Sequence, residues 1–181
     1  TIMQKFHSLI RDNADMLADL IVLENGKNKT EALADVAKGN ETVEWAMSMP
    51  QIAQGKILGV SSGGINCQDR RDALGVVASI VPFNFPFMVP MWTCPIALVS
   101  GNCVVLKPSE KVPLTMNAIT GFMTQAGVPP GVFTIVHGQA EACTAIMENP
   151  KIKAVTFVGS SPIANIVATK CHSLNKRVLA L

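Results

Sequence analysis

The sequence predicts an α/β protein in which N-terminal helices precede a doubly wound parallel sheet. Two observations carry this reading. Up to Met47 the apolar residues recur at helical spacing. After Gly75, short runs rich in β-branched residues alternate with segments of helical length, the pattern of a parallel sheet covered on both faces.

Taken in order, Ile2, Phe6, Leu9, Ile10, Leu17, Leu20 and Ile21 form the apolar stripe of a first helix. Glu24-Asn25-Gly26-Lys27 supplies its C-terminal stop. A second helix is expected over residues 30–47, with Leu33, Val36, Ala37 and Val43 inward. Residues 50–71 are glycine-rich without helical period and read as loop or edge strands. Strands are predicted over 76–81, 103–106, 133–136 and 154–158, with a fifth over 177–181. Helices are predicted between them over 88–100, 114–125, 140–148 and 162–173. Residues 1–75 are thus expected to pack on an α/β domain of residues 76–181 as one structural unit.

Composition narrows the function classes. The 181 residues are 49% hydrophobic and 15% charged, a chain rich in core rather than a disordered one. A net charge of +2 argues against a nucleic-acid partner, which calls for a basic face. Cys67, Cys94, Cys103, Cys143 and Cys171 show no Cys-x-x-Cys spacing, and His7, His137 and His172 form no ligand pair, so no metal site or disulfide framework is expected. A reducing compartment fits. The apolar stretch 83–99 carries Asn84 and three prolines and reads as buried or kinked rather than membrane-spanning. The start at Thr1, inside a helical pattern and without a signal-like segment, suggests residues before it.

Ligands of doubly wound sheets bind beyond the carboxyl ends of the strands. The first of these ends reads Pro82-Phe83-Asn84-Phe85-Pro86. A carboxamide fixed between two prolines suits an oxyanion donor, and equally a cap for the next helix. The second reads Lys107-Pro108-Ser109-Glu110. A lysine and a carboxylate at this spacing can clasp a diol such as ribose, or form a solvated surface pair. The fourth reads Phe157-Val158-Gly159-Ser160-Ser161-Pro162. A glycine turn and a hydroxyl at a helix start can hold phosphate, or be an ordinary serine cap. No Gly-x-Gly-x-x-Gly occurs, so the common dinucleotide fingerprint is absent.

Together with His137-Gly138-Gln139, these motifs and their order resemble the aldehyde dehydrogenase superfamily over nearly the whole chain, and most closely its methylmalonate-semialdehyde dehydrogenase branch. The resemblance implies NAD as cofactor, coenzyme A as co-substrate, and CoA-acylating oxidation of malonate or methylmalonate semialdehyde. It implies an oligomer, a tetramer when full length, with no nucleic-acid or membrane partner. A mitochondrial matrix location follows if the source is eukaryotic, otherwise a cytoplasmic one. Asn84 matches the donor to the thiohemiacetal oxyanion. Ile80, Val81, Pro82 and Phe83 match the nicotinamide side of the groove. Lys107 and Glu110 match the pair on the adenosine ribose, whose carboxylate would repel a 2′-phosphate and so favour NAD over NADP. Gly138 matches a position beside the adenine, and Phe157, Gly159, Ser160 and Ile163 match the pyrophosphate turn.

Two departures accompany the resemblance. The family's nucleophilic cysteine lies downstream of residue 181, and none of the five cysteines sits in a matching motif. Leu181 falls where the family carries its general-base glutamate and the branch asparagine. Arg70 and Arg71 lie near basic residues that the branch uses for the substrate carboxylate or for structure, with an exposed turn as the alternative. The sequence therefore reads as the cofactor portion of such an enzyme, inactive by itself. The competing reading is a truncated, inactive paralogue serving as a structural or assembly subunit.

Overall fold

The computed structural model describes residues 1–59 and 63–181. The helical start is divided more finely than its periodicity suggested, into α1 (Ile2–Asp12) and α2 (Ala14–Asn25). Asn13 breaks it: its Nδ2 donates to the Leu9 carbonyl at 2.8 Å, a local side-chain bond that competes with helical continuation. Helix α3 (Lys29–Met47) opens with the Asn28 side chain accepting from the Glu31 amide at 2.9 Å. Its buried stripe is Ala32, Asp35, Val36, Gly39, Val43 and Ala46, so the expected inward positions Leu33 and Ala37 face outward instead. Side-chain polarity favours Leu33 as inward, but the buried face takes the charged Asp35 instead. A short helix α4 (Met49–Ile52) leads to an exposed antiparallel pair, β1 (Ile57–Gly59) and β2 (Asn66–Gln68).

The main sheet has five parallel strands: β3 (Val76–Ile80), β4 (Cys103–Lys107), β5 (Phe133–Ile135), β6 (Ile152–Phe157) and β7 (Arg177–Ala180). Their spatial order is β5-β4-β3-β6-β7. Four helices connect them: α5 (Met88–Val99), α6 (Leu114–Ala126), α7 (Ala140–Glu148) and α8 (Ser161–Ser173).

Strand alternation sends side chains to two separate cores. Val81, Val104 and Leu106 meet Phe6, Ile10, Leu17, Val36, Phe87, Met91 and Met116, so residues 1–47 share one core with α5 and α6. Ala78, Ile80, Val155 and Phe157 meet Ile146, Ala164 and Val167 from α7 and α8 on the opposite face. A sheet buried on both faces explains why its strands read as continuous apolar runs.

Candidate cofactor and oxyanion site

Register brings the strand ends to one level. Ile80 pairs with Lys107 on one side and Phe157 on the other, Leu106 pairs with Ile135, and Phe157 pairs with Ala180. The segments leaving this row are, across the sheet, Gly138, Lys107–Glu110, Pro82–Asn84, Gly159–Ser160 and Leu181. Chain order reverses between β3 and β6, and the crevice at such a switch point is where doubly wound sheets place their ligands.

Ile80 and Val81 are buried, so they offer backbone rather than side chain to the row. The Val81 amide donates to the Lys107 carbonyl at 3.1 Å, and the Val158 amide donates to the Ile80 carbonyl at 3.1 Å. Pro82 is half-buried, while Phe83 and Asn84 emerge into solvent. Asn84 does not cap α5. That helix begins at Met88, whose amide donates to Asp35 Oδ1 at 2.7 Å. Among the described residues the Asn84 carboxamide has no hydrogen-bond partner, which leaves its amide hydrogens free to donate to a ligand.

Lys107 is buried, its side chain 5% exposed, and its Nζ lies 3.2 Å from Glu110 Oε2. Glu110 is 42% exposed at the side chain. This is not the solvated surface pair of the simpler reading, since one partner is almost wholly enclosed. Glu110 is held below the usual carboxylate range, first by bonding to its own backbone amide, then by Lys107 and Lys111, against the opposing effect of burial. An enclosed donor beside an accessible acceptor fits a vicinal diol.

Ser160 occupies the N-cap position of α8, yet its side chain makes no capping bond, so the hydroxyl remains available at an exposed helix start. Ile163 lies exposed in the first turn. Gly159 donates its amide to the Leu181 carbonyl at 3.0 Å. A Cβ at 159 would lie 2.5 Å from Phe157 Cζ, so only glycine lets the turn pass over that buried ring. Phe157 itself belongs to the core and supports the turn from below. Gly138 (φ +143°) leaves no space for a Cβ, which would meet the Ala142 methyl at 2.7 Å. Leu181 contributes only backbone: its amide donates to Phe157 and its carbonyl accepts from Gly159.

Arg70 and Arg71 do not join this row. They are exposed, Arg70 pairs with Asp72 at 3.0 Å, and both line a shallow cleft with Asn102 and Arg177 at the amino ends of the strands. The five cysteines are scattered over the fold. Burial pushes the Cys94 thiol up to about 12. Burial likewise raises Cys143, against the nearby Lys107 charge, and Cys171. Cys103 begins β4, at the amino end of the strand opposite the row, and Cys67 is exposed on β2. Among the described residues no cluster of His, Cys, Asp or Glu could hold a metal ion. No helix there is long and apolar enough to cross a membrane.

Four side chains from α2, α3 and the turn between them reach the site loops: Glu24, Asn25, Lys27 and Asp35. The sequence reading missed them as site elements. Asp35 carried a signal, a carboxylate on the apolar stripe of α3; Glu24 carried none, because its partner lies 90 residues away.

The family model described as "Aldehyde dehydrogenase family" matches residues 1–181. Malonate-semialdehyde dehydrogenase 1 of Geobacillus kaustophilus (strain HTA426) is 44% identical over 180 residues, which are 99% of this chain and 37% of that protein. Methylmalonate-semialdehyde dehydrogenase of Oceanimonas doudoroffii superposes with a TM-score of 0.96 at 40% identity, over 98% of this chain and 36% of that one. A protein of Sinorhizobium meliloti 1021, ascribed the same activity and solved as its NAD complex, superposes with a TM-score of 0.95 at 36% identity, again over 98% and 36%. The chain thus spans little more than a third of the length of these relatives. All three are bacterial, which lends no support to a mitochondrial location.

Proposed function

Because the chain belongs to the aldehyde dehydrogenase family along its whole length, we propose that it forms the NAD cradle and oxyanion donor of a CoA-acylating malonate- or methylmalonate-semialdehyde dehydrogenase. The observation that carries this reading is the single row of strand ends, with Asn84 and Ser160 on either side of the switch point and the Lys107–Glu110 pair on the neighbouring strand end. NAD, when bound, supplies the hydride acceptor. The chain's own residues bind and orient it. Lys107 donates to a ribose hydroxyl while Glu110 accepts from its neighbour. Ser160 and the free amides at the start of α8 meet the pyrophosphate, where the helix dipole favours negative charge. Pro82 and Phe83 form an apolar wall on the nicotinamide side.

Asn84 acts on the reacting centre. When a thiolate adds to the aldehyde carbon, charge collects on the former carbonyl oxygen. A neutral amide donor already aimed there stabilises that charge without reorganising. We assign the attacking thiolate to none of the five cysteines: burial disfavours the thiolate of Cys94, Cys143 and Cys171, Cys67 lies on β2, and Cys103 sits at the amino end of β4, away from the row. The 181 residues alone accordingly give no turnover, and the full-length protein works as a homo-oligomer. The test is direct: full-length protein with methylmalonate or malonate semialdehyde, NAD and coenzyme A, read as NADH absorbance with the acyl-CoA identified by mass. Formation of NADH and acyl-CoA supports the reading, and no NADH with either aldehyde overturns it.

A further inference from the structure

We propose that the α2–α3 turn is a clamp that positions both cofactor-side loops, making Glu24, Asn25, Lys27 and Asp35 positioning residues for the site; this rests on the function proposed above. The loop carrying Asn84 is gripped at three points that bracket it. Asn25 Nδ2 donates to the Phe83 carbonyl at 2.8 Å. Lys27 Nζ lies 3.8 Å from the centre of the Phe85 ring. Asp35 Oδ1 takes the Met88 amide at 2.7 Å, while its Oδ2 pairs with Lys27 at 2.9 Å.

The same turn holds the other loop. Glu24 accepts from the Leu114 amide at 2.6 Å and the Thr115 amide at 3.1 Å, and also from the Thr115 hydroxyl. This places a carboxylate at the N-terminus of α6, where the dipole favours it, and fixes the exit of the segment that begins with Lys107. Lys111 bridges the two loops, its Nζ lying 4.7 Å from the centre of the Phe83 ring.

Two physical features separate this from ordinary packing. The Asp35 side chain is fully buried and Lys27 is 13% exposed. A buried ion pair stabilises little against an apolar replacement, so its use here is geometric. The contacts also bind loop backbone across long separations, 58 residues for Asn25 and 53 for Asp35. They therefore set where Asn84 points without touching substrate.

The experiment uses full-length protein and reads kcat, the Kd for NAD, and amide exchange in residues 83–88 and 113–116. Asn25→Ala is expected to lower kcat about tenfold with the NAD Kd within about twofold, since a small misplacement of an oxyanion donor costs rate. Glu24→Ala is expected to raise the NAD Kd about tenfold and act less on kcat, and Glu24→Gln, which keeps one acceptor oxygen but turns an NH2 donor toward the other backbone amide, recovers part of that loss. In Glu24→Ala the Leu114 and Thr115 amides, which lose their acceptor, exchange about fivefold faster, and in Asn25→Ala the amides of residues 83–88 do so because release of the Phe83 carbonyl loosens the loop. The clamp is overturned if exchange is unchanged, or if exchange rises while kcat and Kd stay at wild-type values. Wild-type protein that binds no NAD would sink the proposed function itself, and the exchange data would then show separately whether the turn holds the loops.

Discussion

Replacing Glu110 with glutamine should erode the preference for NAD over NADP. An ordinary glutamate is ionised at neutral pH, and bonding to its own backbone amide, with Lys107 and Lys111, favours the charged form of Glu110 further, against the opposing effect of burial. Accepting a hydrogen bond from a ribose hydroxyl would put it within about 5 Å of a 2′-phosphate. Coulomb's law gives about 3 kcal/mol per unit charge at that distance with an effective dielectric of 20, and about 0.8 kcal/mol in bulk water. Glu110 is 42% exposed, so solvent screening pulls the value toward the lower figure. A net repulsion of about 1 to 2 kcal/mol corresponds to a discrimination of about five- to thirtyfold. Calorimetric titration of full-length wild type and Glu110→Gln with both cofactors measures it. NADP should bind about tenfold tighter to the variant, with NAD weakened about threefold by loss of the charged acceptor. The effect should be salt-dependent. Because the folded pKa of Glu110 is depressed, the carboxylate's contribution is present above the unfolded value and lost only as pH falls through the folded one. Unchanged NADP-to-NAD affinity in the variant would refute the placement of Glu110 on the ribose.

Other consequences are as specific. Gly159→Ala drives a methyl into the Phe157 ring, and overpacking of this kind should cost about 1 to 3 kcal/mol and weaken NAD binding, read by chemical denaturation and titration. Asp35→Ala strands the Met88 amide and leaves Lys27 unpaired, a loss of about 3 kcal/mol, whereas Asp35→Asn keeps the amide acceptor and should lose less. A thiol reagent should modify exposed Cys67 at once and leave Cys94 untouched in the native state, as mass mapping of the labelled protein would show.

The fold was legible because its signals are local. Alternation of β-branched runs with helical segments located all five parallel strands, and the apolar periods located the helices around them. The break at Asn13 escaped because one side-chain bond to Leu9 decides it. The strand-end motifs were visible as residues but ambiguous as chemistry. Asn84 could have been a cap until Asp35, 53 residues before the amide it binds, took that position. Lys107 and Glu110 could have been a solvated pair until burial of the lysine excluded it. Phe157 shows the converse, since its place in the motif did not reveal that its ring lies in the core beneath Gly159. What sequence could not show is long-range polar contact, and the Glu24 cap on α6 is the plainest case.

Whether the strand-end row cradles NAD is decided by calorimetric titration of NAD into full-length wild type and Lys107→Met. Methionine keeps most of the buried volume and removes the ammonium donor. Saturable NAD binding to the wild type is expected, with a Kd raised about tenfold or more in the variant, the loss for a charged hydrogen bond of about 1.5 kcal/mol or above. Equal affinity in the two proteins, or no binding to the wild type, would contradict it.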